Sequence, residues 1–168
     1  TLKNDQYEGK TIEEKWDNFY DTIVQYIGDG TDPLKTIEVI GITDYLSIDN
    51  YNKVMKDRRL PDEIKLVLPN VELRMVPFAK TAPINIHCIF DPIYSDSLES
   101  RFFGKLKFSF GGSAYSAVHD ELIRLGRDYK NDKTLSEDQA YIVGVNQFVL
   151  EFSTLKKIFD EDQELREH

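Results

Sequence analysis

Apolar residues recur at helical spacing at Ile12, Trp16, Phe19, Ile23, Tyr26 and Ile27, which predicts an amphipathic first helix whose aromatic stripe faces the core. Thr11-Ile-Glu-Glu14 reads as its capping box, with hydroxyl and carboxylate serving the exposed amides of the helix start, and Gly28-Asp-Gly30 with Pro33 supplies a stop. The pattern then changes. Residues 37–43 are apolar and β-branched at nearly every position, as expected of a strand buried on both faces of a parallel sheet. Thr43-Asp44-Tyr45 ends it, and Ser47 is placed to cap a second helix bearing Ile48, Tyr51, Val54 and Met55.

Two strands are expected over residues 64–68 and 71–76, separated by Pro69-Asn70, and a third over 84–90, closed by Asp91-Pro92. Gly111-Gly112 joins 106–110 to 113–116 as a tight hairpin. Val118, Leu122, Ile123 and Leu125 mark a third helix, and residues 136–143 a fourth. Residues 148–152 follow as a strand, then a last helix capped by Ser153 and running through Leu165. No internal repeat, low-complexity tract or linker interrupts the 168 residues. The expectation is an α/β fold of mainly parallel strands with a small hairpin insertion.

Charge narrows the function. Thirty acidic against 21 basic residues give −9, a field that repels phosphate backbones and disfavours general nucleic-acid coating. Lys105, Lys107, Arg124, Arg127 and Lys130 are the nearest approach to a basic patch, read as a solvated face, and residues 160–164 read as an exposed acidic helix surface. A single cysteine, Cys88, cannot form an internal disulfide, and no run approaches the ~18 apolar residues of a membrane span. A cytoplasmic, non-membrane protein is expected.

Catalytic groups of parallel α/β folds gather at the C-terminal edge of the sheet, which singles out Asp44. Glu72 and His87 fall within neighbouring apolar strands, where a buried charge or imidazole needs a partner or a metal. Carboxylate and imidazole suit Zn²⁺, Mn²⁺ or Fe, so Asp44, Glu72 and His87 form a candidate half-site. The structural alternative pairs Glu72 with Arg74 and makes His87 a hydrogen-bonded core histidine. His119 and Cys88 read as structural residues, and no phosphate-loop, dinucleotide-binding, serine-hydrolase or zinc-finger spacing is present.

The order Gly-Ile-Thr-Asp-Tyr45, Pro-Asn-Val-Glu-Leu73, Ile-Asn-Ile-His-Cys88 resembles the polymerase-and-histidinol-phosphatase (PHP) family, which carries Thr-Asp-His, Glu and His on successive strands. Thr-Asp-Tyr-Leu-Ser-Ile-Asp49 and Val-Gly-Val-Asn-Gln-Phe148 look like the amino-terminal PHP-like region of TrlF-type proteins, which continue into an SMC-like or AAA-like ATPase. The resemblance implies a portion of a distorted (β/α)7 barrel, with divalent metals at its strand ends activating water against a phosphate ester. Glu72 and His87 match metal-ligand positions. Asp44, carried over as the catalytic-motif Asp, matches a residue that orients a neighbouring ligand. The implied partners are an ATPase domain of the same polypeptide and nucleic acid, and the implied chemistry is phosphodiester processing.

The sequence departs from that pattern at three places. No His-x-His strand precedes the first helix, Tyr45 stands where the motif has His, and no late Asp-x-His occurs before His168. Three histidines cannot complete a His-rich trinuclear site. The expectation is therefore one PHP-like domain over residues 1–168, incomplete at both ends and inactive alone, or else a metal-free scaffold that has kept the fold.

Overall fold

The first helix, α1 (Ile12–Ile27), begins where the capping box places it. The Glu14 amide donates to Thr11 Oγ1 at 3.2 Å, and the Glu14 carboxylate accepts from the amides of Lys10 and Thr11 at 2.6 and 3.4 Å. The computed structural model describes residues 9–27, 36–79 and 82–167, so the stop signal at Gly28 to Pro33 lies outside the described residues. Phe19, Tyr20, Ile23 and Ile27 pack with Val54 in a small core, whereas Ile12 and Tyr26 at the stripe's margins are exposed. Tyr20, absent from the expected stripe, donates its hydroxyl to Asp57 at 2.8 Å and so ties α1 to the second helix.

Strand β1 (Val39–Tyr45) leads to α2 (Asp49–Asp57), β2 (Leu66–Ala79) and β3 (Ala82–Ile89). The main sheet carries one antiparallel pairing: β1 pairs in parallel with β2, and β3 pairs antiparallel with β2 on its other side. Residues 64–68 and 71–76 belong largely to one strand, because Pro69-Asn70 does not break it. The Pro69 carbonyl accepts from the Phe90 amide at 3.0 Å, beyond the last rung of β3 at Ile89. The nitrogen of Pro69 faces that same side, past the last rung of β3, so its missing N–H is felt only at the end of the ladder and interrupts no rung within it.

After a 3₁₀ turn (Pro92–Ser97) and a π-helical turn (Glu99–Phe103) comes a separate two-stranded hairpin, β4 (Lys107–Phe110) and β5 (Ser113–Ser116). Gly111 and Gly112 take φ of 57° and 82°, as a tight hairpin of this hand requires. Then follow α3 (His119–Lys130), α4 (Glu137–Gln147), β6 (Leu150–Glu151), α5 (Phe152–Glu161) and α6 (Gln163–Glu167). Ser136 caps α4 in a full capping box with Gln139. The strand expected over 148–152 shrinks to two residues, which continue the β1 side of β2 by pairing with Met75 and Val76. Because α5 starts at Phe152, Ser153 lies inside its first turn and is not the cap.

The main core lies against one face of the sheet. Val71, Leu73 and Met75 of β2 are buried there with Phe90, Phe102 and Phe148. α3 and α4 meet backbone to backbone: a Cβ on Gly126 would lie 1.8 Å from the Ala140 carbonyl oxygen, and one on Gly144 1.9 Å from that of Leu122. Each helix thus offers a glycine to the other, which permits an approach no larger residue allows. The acidic run is not simple surface. Asp162 takes Arg101 on both oxygens and accepts from the Leu165 amide, which breaks the last helix into α5 and α6. The basic residues are likewise engaged: Lys105 with Asp162, Arg124 with Glu121, and Arg127 with the Leu135 carbonyl.

Candidate functional site

Three strands in register sort the candidate residues into rows. Tyr45, Glu72 and His87 are aligned across β1, β2 and β3, and so are Asp44, Val71 and Cys88 one residue earlier on β2. Side chains alternate between faces along a strand, so these two rows point to opposite sides of the sheet. Val71 is fully buried and Cys88 and Asp44 nearly so, whereas His87 is exposed and Glu72 partly exposed. The structure therefore brings Glu72 and His87 together on the open face and places Asp44 on the core face. The double-sided burial expected of β1 is not found: Val39 is 52% exposed, and among its residues only Asp44 is buried.

On the open face the row is organised by amides. Asn70 donates through Nδ2 to Thr43 Oγ1 at 2.7 Å, which turns its Oδ1 toward His87 Nδ1, 3.2 Å away. An oxygen acceptor there is matched by a proton on Nδ1, and Nε2 is the ring nitrogen left to face another partner. Glu72 accepts from Asn85 Nδ2 on Oε1 at 2.5 Å, leaving Oε2 for a second partner. Directly opposed residues on paired strands have Cβ atoms ~5 Å apart, a span one cation can bridge. Holding a ligating histidine through its far nitrogen is the arrangement by which metal sites fix ring orientation. Carboxylate plus imidazole therefore fits Mn²⁺, Zn²⁺ or Fe as a half-site. Among the described residues, no group of three or more His, Cys, Asp and Glu is placed to hold a metal ion.

Tyr45 shares the row but is committed elsewhere. Its hydroxyl donates to the Phe148 carbonyl at 3.0 Å, and the Arg74 guanidinium lies over its ring, 5.0 Å from the centroid. Burial raises its pKa, with Arg74 opposing, so the phenol stays neutral and is a poor ligand. Arg74 pairs with this ring and with the Asn146 carbonyl.

Asp44 serves the start of α2. Its Oδ2 accepts from the Asn50 amide at 2.8 Å and its Oδ1 from Asn50 Nδ2, and the Tyr51 amide also favours its charged form. This carboxylate, reaching from the end of β1, does the capping expected of Ser47, whose Oγ accepts only from the Asp49 amide at 3.2 Å. Burial dominates nonetheless and pushes the Asp44 carboxyl up to about 6. Between Asp44 and α2, Leu46 adopts a left-handed φ of 54° while fully packed, a conformation costing ~1–2 kcal/mol in a non-glycine residue. Nothing in the sequence marked it, since leucine carries no turn signal.

Beside this corner a cavity of about 420 Å³ opens among Asp49, Asp96, Glu99 and His119, and none of Asp44, Glu72 and His87 lines it. His119 is exposed and stacks on Tyr141 at 4.9 Å between centroids. Burial pushes the Cys88 thiol up to about 12, which makes it an inert core residue.

Compared with protein-family models, curated proteins and solved structures, the chain matches none. No described helix is long and apolar enough to cross a membrane.

Proposed function

We propose that the chain is a PHP-like unit whose open sheet face contributes half of a divalent-metal site to a phosphoesterase, with Glu72 and His87 as ligands. The observation that carries this reading is the Asn70 hydrogen bond to His87 Nδ1, which leaves Nε2 directed away from its holder in a residue directly opposite Glu72. The motif order and the neighbouring positions of β1, β2 and β3 support the same reading, within a barrel of which this sheet would form part. Bound there, a divalent cation would lower the pKa of a water toward neutrality and offset charge on phosphoryl oxygens. Glu72 and His87 would hold it, Asn85 and Asn70 would orient them, and Asp44 would fix α2 at the strand edge. The remaining ligands, an attached ATPase and a nucleic-acid phosphodiester substrate belong to the larger protein.

A second reading, a catalytically silent PHP-like scaffold that binds partners or regulates an attached ATPase, draws on Tyr45. This residue occupies the third place of the row and is bound to Phe148 and covered by a cation, so that place is filled by packing. The two readings separate on activity. A protein containing this unit is expected to hydrolyse bis(p-nitrophenyl) phosphate with Mn²⁺, and Glu72→Gln is expected to lower kcat/KM at least 100-fold with the fold intact. Equal activity of both proteins, or none in either with Mn²⁺, Zn²⁺ or Fe²⁺, would leave the scaffold reading.

A further inference from the structure

The outer edge of β1 has no strand beside it among the described residues. Glu38 offers its carbonyl to the Leu66 amide, and the parallel ladder then directs the even-numbered residues 38 to 44 toward β2. Gly41 and Thr43 must therefore point their N–H and C=O groups outward. Natural edges are usually blunted by charge, proline or a bulge, yet residues 39–43 are Val-Ile-Gly-Ile-Thr. α1 does not close the gap. It leaves a groove of about 470 Å³, walled on one side by Trp16, Phe19 and Ile23 and on the other by Gly41 and Thr43, which continues over Asn70 and Ile89 on the open face of the sheet.

The lining also decides what can enter. In a chain of net charge −9 this groove is lined by no Asp, Glu, Lys or Arg, so a charged occupant would lose its hydration without a counter-charge. Exposed backbone donors and acceptors along one wall call for a partner with the same groups at strand spacing, which excludes a lipid or a simple apolar molecule. The geometry points to an extended, uncharged peptide segment, apolar at alternate positions, adding as a strand to the open edge of β1 with its apolar side chains against α1. Neither Glu72 nor His87 lines the groove, although Asn70, which holds His87, does.

The test uses the ¹⁵N-labelled chain and the blocked heptapeptide acetyl-Thr-Val-Thr-Val-Thr-Val-Thr-amide as probe. Millimolar peptide is expected to slow hydrogen exchange of the Gly41 and Thr43 amides at least tenfold and leave the even-numbered β1 amides unchanged. The same peptide N-methylated at alternate residues should give no protection, which requires no change to the protein. Gly41→Pro removes one outward donor without touching the β1–β2 ladder and should abolish the effect at Thr43. No protection at either amide, protection by the N-methylated peptide as well, or protection that rises with protein concentration without peptide, which would mean a second copy on the edge, would each overturn the inference.

Discussion

Replacing Gly126 with alanine is expected to destabilise the protein by about 3 kcal/mol or more, the range of core overpacking that cannot relax through a side chain. The added methyl would meet the Ala140 carbonyl oxygen at 1.8 Å, and that atom belongs to backbone held within α4. Gly144→Ala meets the Leu122 carbonyl at 1.9 Å and should cost a similar amount. The sign is diagnostic, because helix propensity alone would make either change stabilising by about 1 kcal/mol. Urea unfolding of the two variants reads it directly. A rise in midpoint for either one would show that α3 and α4 do not approach this closely.

Asp44 should give the second large effect, and one that depends on pH. Asp44→Ala strips partners from the Asn50 amide and side chain and from the Tyr51 amide, a loss of about 2–4 kcal/mol for buried donors left unmade. Asp44→Asn behaves differently. Burial holds the folded carboxyl at about 6 against an unfolded value of 3.8, so the folded state binds the extra proton between those values. The stability Asp44 contributes is full below pH ~4 and is lost as pH rises through ~6. The neutral amide loses nothing over that window. Relative to wild type, Asp44→Asn should therefore gain up to ~3 kcal/mol between pH 4 and 7. Measuring the difference between the two proteins is essential, because Asp57, Glu121, Asp128 and Glu164 are shifted downward by their partners and act in the opposite direction. A pH-independent difference would mean that the α2 amides, and not burial, control Asp44.

Local signals in the sequence translated directly into structure. The capping box at Thr11, the helix start at Ser136 and the Gly111-Gly112 turn are each made of a few adjacent residues whose chemistry is complete in itself. Features set by distant chain carry no such local signal. Pro69 reads as a breaker until the register puts it past the last rung of β3, where a missing N–H interrupts no rung. Asp162 reads as surface until Arg101, 61 residues away, is brought to it. An apolar run such as residues 37–43 signals burial on both faces, but the described neighbours of β1 cover Ile40 and Ile42 only in part and leave Val39, Gly41 and Thr43 on the other face exposed. The candidate site was half legible for the same reason. Residue order placed Asp44, Glu72 and His87 on adjacent strands, whereas only the register shows that Glu72 and His87 share a row with Tyr45 and that Asp44 faces away.

That register is the centre of the account, and Mn²⁺ titration of the ¹⁵N,¹³C-labelled chain tests it most directly. Paramagnetic broadening is expected to centre on the His87 ring and the Glu72 side chain, to spare Asp44, and to vanish in Glu72→Gln. Tyr45→His, which places a third donor in the row, should bring the same broadening at a tenfold lower Mn²⁺ concentration. Broadening centred on Asp44, or left unchanged by both substitutions, would contradict the account.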